Sequence, residues 1–273
     1  MAINVLGGSG FIGSRYCQLT PNVIMNDRND YVVKSNEVVY FISTVDNYNV
    51  FTDPYIDIDT NLTTLIKTLE SCKDTDVTFN FISSWFVYGD VDLPAKETSY
   101  CNPRGFYSIT KRAAEQLLIS YCETFGIKYR ILRLGNVLGP QDNKISKKKN
   151  ALQYLIGEMA ANNPVNLYDG GEVFRDYIYV DDVVTAINLV IEKGLSNTIY
   201  NIGNGEKTYL KDIIEYAKER LHSTSQVNSI EAADFHKIVQ TKNMVLDVSE
   251  LKSLGYTPRY TVHDVVDMII NLG

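Results

Sequence analysis

The chain has 273 residues, 45% of them hydrophobic and 22% charged, with a net charge of −7. That is an ordinary globular composition, long enough to bury a sizeable core in one large domain or a domain with a smaller lobe. The acidic balance argues against a nucleic-acid partner, no apolar run approaches a membrane span, and the opening MAINVLGGSG lacks the charged leader and cleavage site of a signal peptide.

INVL reads as a short apolar strand ending in glycines, and GGSGFIG at 7–13 leads into a short helix. NVIMND (22–27) and EVVYFIST (37–44) are the next expected strands. TNLTTLIKTLESC sets Leu62, Leu65, Ile66 and Leu69 at helical spacing. VTFNFISS predicts a strand, YSITKRAAEQLLISYCETFG a long helix stopped by Gly126, and KYRILRLGNV another strand. Strands alternating with helices predict an α/β fold, a doubly wound parallel sheet covered on both faces. After residue 140 the order loosens. ALQYLIGEMAA and 181–193 read as helices and 165–168 and 173–180 as short strands, followed by TIYNIG and YLKDIIEYAKERL. The cluster Lys144, Lys147, Lys148 and Lys149 reads as a solvated loop. Cys17, Cys72, Cys101 and Cys122 are scattered without a C-x-x-C pair, which suits reduced thiols in a cytoplasm rather than a disulfide frame or zinc site. The sequon at Asn61 is read as chance, and His222, His236 and His263 lie in no metal or catalytic motif.

Gly7, Gly10 and Gly13 give G-x-x-G-x-x-G between a strand and a helix, with Phe11 and Ile12 inside the pattern. Glycines there permit a tight turn and close approach to a pyrophosphate at the positive end of the helix. Asp27, at the end of the second strand, can accept hydrogen bonds from an adenosine ribose. It follows Gly13 by 14 residues, against about 20 in the usual pattern. Arg28 beside it can meet a 2′-phosphate or stack on adenine, but Asp27 repels such a phosphate, so NAD is favoured over NADP without excluding it. Residues 1–140 are thus expected to form a dinucleotide-binding Rossmann domain, and 141–273 mainly a substrate lobe, with segments near 173–193 also packing on the first.

Tyr107 and Lys111 stand four apart in GFYSITKRAAEQLL, on one face of a helix. Most such pairs are merely solvated. The alternative is a phenol and an ammonium set together for proton transfer.

In their order and spacing these segments resemble the extended short-chain dehydrogenase/reductase family of nucleotide-sugar epimerases, dehydratases and reductases. SSWFVYGD (83–90) resembles the strand with the catalytic Ser or Thr, NPRGFYSITKRAAEQ (102–116) the Y-x-x-x-K helix, and RLGNVLGP (133–140) the strand whose Asn contacts substrate. FRDYIYVDDVVTAI (174–187) resembles the segment that grips the diphosphate; YNIGNGE and LDVSELKSLGYTP match the closing pieces. The resemblance implies that Ser84, Tyr107 and Lys111 are catalytic and that Lys111 also bonds the nicotinamide ribose. It implies that Asn136 and Arg175 bind a nucleotide-diphosphate sugar, and that the protein is a cytoplasmic homodimer acting in carbohydrate biosynthesis. A phenol titrates near pH ~10, and the adjacent ammonium favours its phenolate.

Four departures narrow the expectation. Trp85 and Phe86 occupy the places where 4,6-dehydratases of the family hold Asp and Glu, and neither ring transfers protons. Trp85 also stands where C5-epimerizing members carry Cys; it is read either as packing or as a sugar-stacking residue. Lys237 replaces an Arg expected ten positions before Asp247, either as a point-charge phosphate ligand or as a solvated residue. Only residues 28–36 separate Asp27 from the next strand, where the family fits another strand and helix, so the adenine side should be open. The resulting expectation is NAD(P)-dependent 4-epimerization of a nucleotide sugar through a 4-keto sugar, with a 4-keto-sugar reductase as the alternative. A non-catalytic nucleotide-sensing protein on the same fold is the third reading.

Overall fold

The computed structural model describes residues 2–45, 47–140, 142, 151–241 and 243–272, so the lysine cluster at 144–149 lies outside the described residues. The first half contains β1 (Ile3–Leu6), α1 (Phe11–Leu19), β2 (Val23–Met25) and β3 (Glu37–Tyr40). A single helical stretch follows, α2 (Tyr55–Ile58) and α3 (Thr64–Glu70) joined by a π-turn. Then come β4 (Thr78–Ser84), α4 (Phe106–Phe125) and β5 (Lys128–Leu134). The second half is more broken. It contains β6 (Asn136–Leu138), α5 (Ala151–Ala160), β7 (Val165–Tyr168), β8 (Phe174–Arg175), β9 (Tyr177–Tyr179), α6 (Val180–Lys193) and β10 (Thr198–Ile202). The remainder is β11 (Thr208–Tyr209), α7 (Leu210–Arg220), β12 (Val227–Ile230), α8 (Asp234–Val239), α9 (Ser249–Ser253) and α10 (Val262–Leu272).

Six strands pair in the order β10-β5-β4-β3-β1-β2, all parallel. Alternate residues of each inner strand enter different cores. Val39, Ile82 and Leu132 pack with Tyr16 of α1 and Val183 and Ile187 of α6. Val38, Phe81 and Ile131 pack with Leu65 and Leu69 of α3 and Leu118 of α4. Burial on both faces explains why these strands read as apolar runs rather than as alternations. A third core joins α5, α7 and α10 below β7 and β9, and two-stranded pairs β11·β8, β12·β7 and β6·β9 complete this smaller part.

As the short 28–36 segment implies, the strand and helix that the family fits after β2 are absent from the sheet, and three-residue β2 is the edge. Asn4 and Asn26 manage the shortcut. Asn4 donates to Asn26 and accepts from the Lys34 backbone, and Asn26 holds the carbonyls of Asp30 and Val32 at 2.9 Å. The expected strand KYRILRLGNV breaks in two at Gly135. There the N–H of Gly135 bonds Ile202 in the large sheet, and that of Asn136 bonds Asp176 in the smaller part. A Cβ on Gly135 would lie 3.0 Å from the Asp176 carbonyl, so the crossing is tight for any side chain.

Candidate active site

The glycine loop is shaped by contacts that side chains would obstruct. Gly7 has φ +82°, and a Cβ there would sit 2.8 Å from the Ile42 nitrogen. A Cβ on Gly13 would sit 2.4 Å from the Gly7 carbonyl oxygen, which accepts the N–H of Gly10. Gly10 is the N-cap of α1, no side chain caps that end, and no acid lies in its first turn. The opening N–H groups of a helix have no intrahelical partners, so those of Phe11, Ile12 and Gly13 face a place suited to phosphate oxygens. The side chains of Phe11 and Ile12 pack into the protein, Phe11 against the third core. Asp27 and Arg28 are exposed at the open edge beyond β2.

Tyr107 and Lys111 lie on the buried face of α4, at 7% and 2% exposure. That face, not the helix surface, rules out the solvated pair. Lys111 Nζ rests 4.3 Å from the centre of the Phe81 ring. Burial pushes its pKa down to about 7, with Glu115 one turn on acting in the opposite direction. Glu115 is already engaged: it accepts from Ser83 (2.6 Å), Arg112 (2.7 Å) and Arg133 (2.8 and 3.0 Å). This network pins α4 to β4 and β5. Asn47 fixes the start of the same helix, its Oδ1 accepting the N–H of Tyr107 at 3.0 Å. Ser84 ends β4, and its Oγ accepts the Phe86 N–H at 3.3 Å.

From there an aromatic path leads outward. Phe86 meets Tyr107 edge-on, with ring centres 6.0 Å apart, and stacks on Trp85 at 4.0 Å. Trp85 in turn lies 5.1 Å beneath the Arg175 guanidinium. Only 2% of Trp85 is exposed, so its ring stands behind Phe86 with no open face for a sugar, and of its two expected roles the structure displays the packing one. Arg175 donates to the carbonyls of Phe174 (3.0 Å) and Thr241 (2.6 Å). Burial pushes its pKa down to about 10. Asn136, at the crossing after Gly135, has a buried Nδ2 with no partner among the described residues. Beside Arg175 in sequence, Asp176 accepts from the backbones of Asn204, Gly205 and Leu246 and ties the two parts of the chain together. Burial pushes its pKa up to about 6.

Lys237 is half exposed on α8, paired with Glu231 and, at 3.8 Å, with Asp234. Its neighbour His236 stacks on Tyr168 at 4.7 Å instead. No group of three or more His, Cys, Asp or Glu residues suited to a metal is found among the described residues, and no described helix is long and apolar enough to cross a membrane.

The model of the NAD dependent epimerase/dehydratase family matches residues 26–203. The chain belongs to that family. It is similar to the low-salt glycan biosynthesis protein Agl12 of Haloferax volcanii, with 27% identity over 89% of this chain and 76% of the relative. It is 31% identical to an Arabidopsis thaliana trifunctional UDP-glucose 4,6-dehydratase, 3,5-epimerase and reductase over 71% of this chain, though only 29% of that protein. Among solved structures, UDP-glucose 4-epimerase of Thermotoga maritima with UDP-glucose superposes with a TM-score of 0.88 at 25% identity, covering 100% of this chain and 98% of that one.

Within this epimerase/dehydratase frame, sequence reasoning missed Asn47, Phe86 as a ring facing Tyr107, and the Glu115–Arg133 support. Asn47 lies 60 residues from its partner in the chain, and no local pattern announces it. Glu115 did carry a signal: it follows Lys111 by four residues on the buried side of an amphipathic helix, where an acid needs a partner.

Proposed function

We propose that this protein is a NAD-dependent 4-epimerase of nucleotide-diphosphate sugars. The observation that carries the reading is the burial of Tyr107 and Lys111 together on α4, with Phe86, whose N–H the Ser84 hydroxyl accepts, facing Tyr107, in a chain whose glycine loop leaves the start of α1 uncapped. The loop residues Gly7, Gly10, Phe11, Ile12 and Gly13 fit the pyrophosphate of the cofactor, Lys111 its nicotinamide ribose, and Asp27 and Arg28 its adenosine end. Held there, NAD would supply the hydride acceptor and donor for the sugar C4.

The chain's own residues handle the proton and the position. Tyr107 takes the proton of the 4-hydroxyl as the carbonyl forms and gives it back after the keto sugar has turned its other face. Lys111, one helical turn away, favours the phenolate. Ser84 holds the same oxygen. Such acid–base help is worth ~10²–10⁴ in rate. Asn136, whose side-chain amide has no partner among the described residues, and Arg175 hold the nucleotide-diphosphate side, while Phe86, backed by Trp85, walls the sugar site. Trp85 acts by packing, and Lys237 reaches a phosphate only by leaving its two carboxylates. In this reading residues 1–140 serve the cofactor and 141–273 mainly the substrate, with α6 and β10 built onto the cofactor sheet. The exposed Ile109 and Leu117 on the outer side of α4 support a homodimer, and the four free cysteines support a cytoplasmic setting.

One observation favours the second reading, a 4-keto-sugar reductase: the open adenine edge suits a cofactor that exchanges every turnover. The two separate cleanly. An epimerase given UDP-glucose and catalytic NAD equilibrates it with the C4 epimer. It keeps deuterium at C4, shows no net NADH absorbance and leaves the C6 hydroxyl in place. Stoichiometric NADH or NADPH oxidation with a 4-keto nucleotide sugar, and no epimer from any nucleotide hexose, installs the reductase.

A further inference from the structure

We propose that His236 is a second ligand of the diphosphate, working beside Arg175, and that substrate binding is coupled to the uptake of one proton at its ring. The inference rests on the nucleotide-sugar reading above and adds a residue to it.

Arg175 is a buried cation whose hydrogen bonds go to carbonyl groups and whose flat face lies on Trp85; it has no carboxylate partner among the described residues. A buried charge without a counter-charge is costly, so the site is built around an anion that arrives from outside. Helix α8 ends two residues before Thr241, whose carbonyl Arg175 holds, and it brings His236 near enough to feel the Arg175 charge. Its ring packs against Tyr168, and its Nδ1 is buried with no hydrogen-bond partner among the described residues. The helix is held from the cofactor side, since Phe235, the preceding residue, meets Phe51 at 4.5 Å and Tyr48 at 5.3 Å. Lys237, by contrast, turns to Glu231 and Asp234. The orphaned nitrogen of His236 and the Arg175 guanidinium, which has no carboxylate partner among the described residues, therefore form one incomplete site, completed by phosphate oxygens.

The groups around His236 fix the sign of the pH dependence. Burial and then Arg175 on β8 lower its pKa, and Asp169, just after β7, raises it. Tyr168 on β7 is the ring it touches, and the charges on its own helix, Asp234 and Lys237, are paired. Without ligand the ring is neutral near pH ~7. A diphosphate diester carries both charges across this range, so its arrival favours the protonated ring, and Nδ1–H donates to a phosphate oxygen. Affinity is then highest at low pH and falls as pH rises through the pKa of the complex.

The test uses the intact protein with UDP-glucose and dTDP-glucose. The chain has three histidines, so the ring signals can be assigned by replacing His222 and His263. The expected result is a rise of the His236 pKa by about one unit on saturation, with Kd weakening about tenfold between about pH 5.5 and 8. His236→Gln, which keeps an N–H donor but does not titrate, should flatten that slope while leaving the circular dichroism unchanged. Saturable binding with an unmoved His236 signal overturns the proposal and leaves the nucleotide-sugar reading standing; should the variant fail to fold, the wild-type titration decides alone. Failure of the wild type to bind either compound at any pH overturns both.

Discussion

Around Tyr107, the proposed proton carrier, the protein buries its charges: Lys111, Glu115 and Arg133 are nearly inaccessible, and the carboxylate is satisfied by three side chains. At the adenine end Asp27 and Arg28 stand in solvent beyond a three-residue edge strand. The difference teaches where precision is needed. Proton and hydride transfer tolerate little misplacement, whereas adenosine can be held by one exposed acid. Cofactor affinity should then come chiefly from the glycine loop and the ribose beside Lys111.

The largest effect expected from this contrast is on turnover. Tyr107→Phe removes the proton carrier and little else, so kcat should fall by ~10²–10⁴ while NAD affinity, read by calorimetry, stays within about threefold. Activity within tenfold of wild type would take Tyr107 out of the chemistry.

Next comes stability at the buried end. The pKa of Lys111 is depressed by folding, so the unfolded chain binds more protons between the folded value of about 7 and the ordinary 10.5. The penalty of burying Lys111 is therefore full below pH 7 and vanishes as pH rises past 10.5. Lys111→Met should raise denaturant stability, on the order of 1–3 kcal/mol at pH 7, and the gain should shrink by pH 10 even as activity is lost. A gain equal at both pH values would mean that the ammonium is well solvated, and the contrast between the two ends would weaken.

The smallest effect lies at the open edge. Asp27→Ala should weaken NAD several-fold, roughly 1 kcal/mol, and narrow the preference over NADP. Stronger binding of NADP than NAD by the wild type would assign that choice to Arg28.

How much of this was legible in the sequence depends on chain distance. Tyr107 and Lys111 are one helical turn apart, and the glycine loop spans seven residues, so local spacing suffices to find them. The lost strand was equally visible, because nine residues between Asp27 and β3 cannot hold a strand, a helix and two turns. The partners of these residues come from far away: Asn47 to Tyr107, Arg133 to Glu115, Arg175 to Trp85. Sequence pattern left Trp85 open between packing and sugar contact, and only its burial between Phe86 and Arg175 resolves how the ring sits. Spacing leaves Lys237 open between a phosphate ligand and a solvated residue, and in the structure it pairs with Glu231 and Asp234 while His236 packs against Tyr168. At a helix surface one step of sequence is a rotation of about 100°, which spacing from a distant Asp cannot fix.

The position of β10 also sets a schedule for biosynthesis. β5 is flanked by β4 on one side and by residues 198–202 on the other, and the hydroxyl of Tyr88 reaches across to Asn201 at 2.7 Å. α1 likewise waits for Asp181, which grips Arg15 across 166 residues of chain. A nascent polypeptide halted between Leu134 and Thr198 therefore leaves one edge of β5 without its partner strand. Contacts of such sequence separation form late, and an unpaired edge invites association with other chains. Synthesis slowed between β5 and β10 would prolong that exposed edge, and a raised temperature would then be expected to do the most damage.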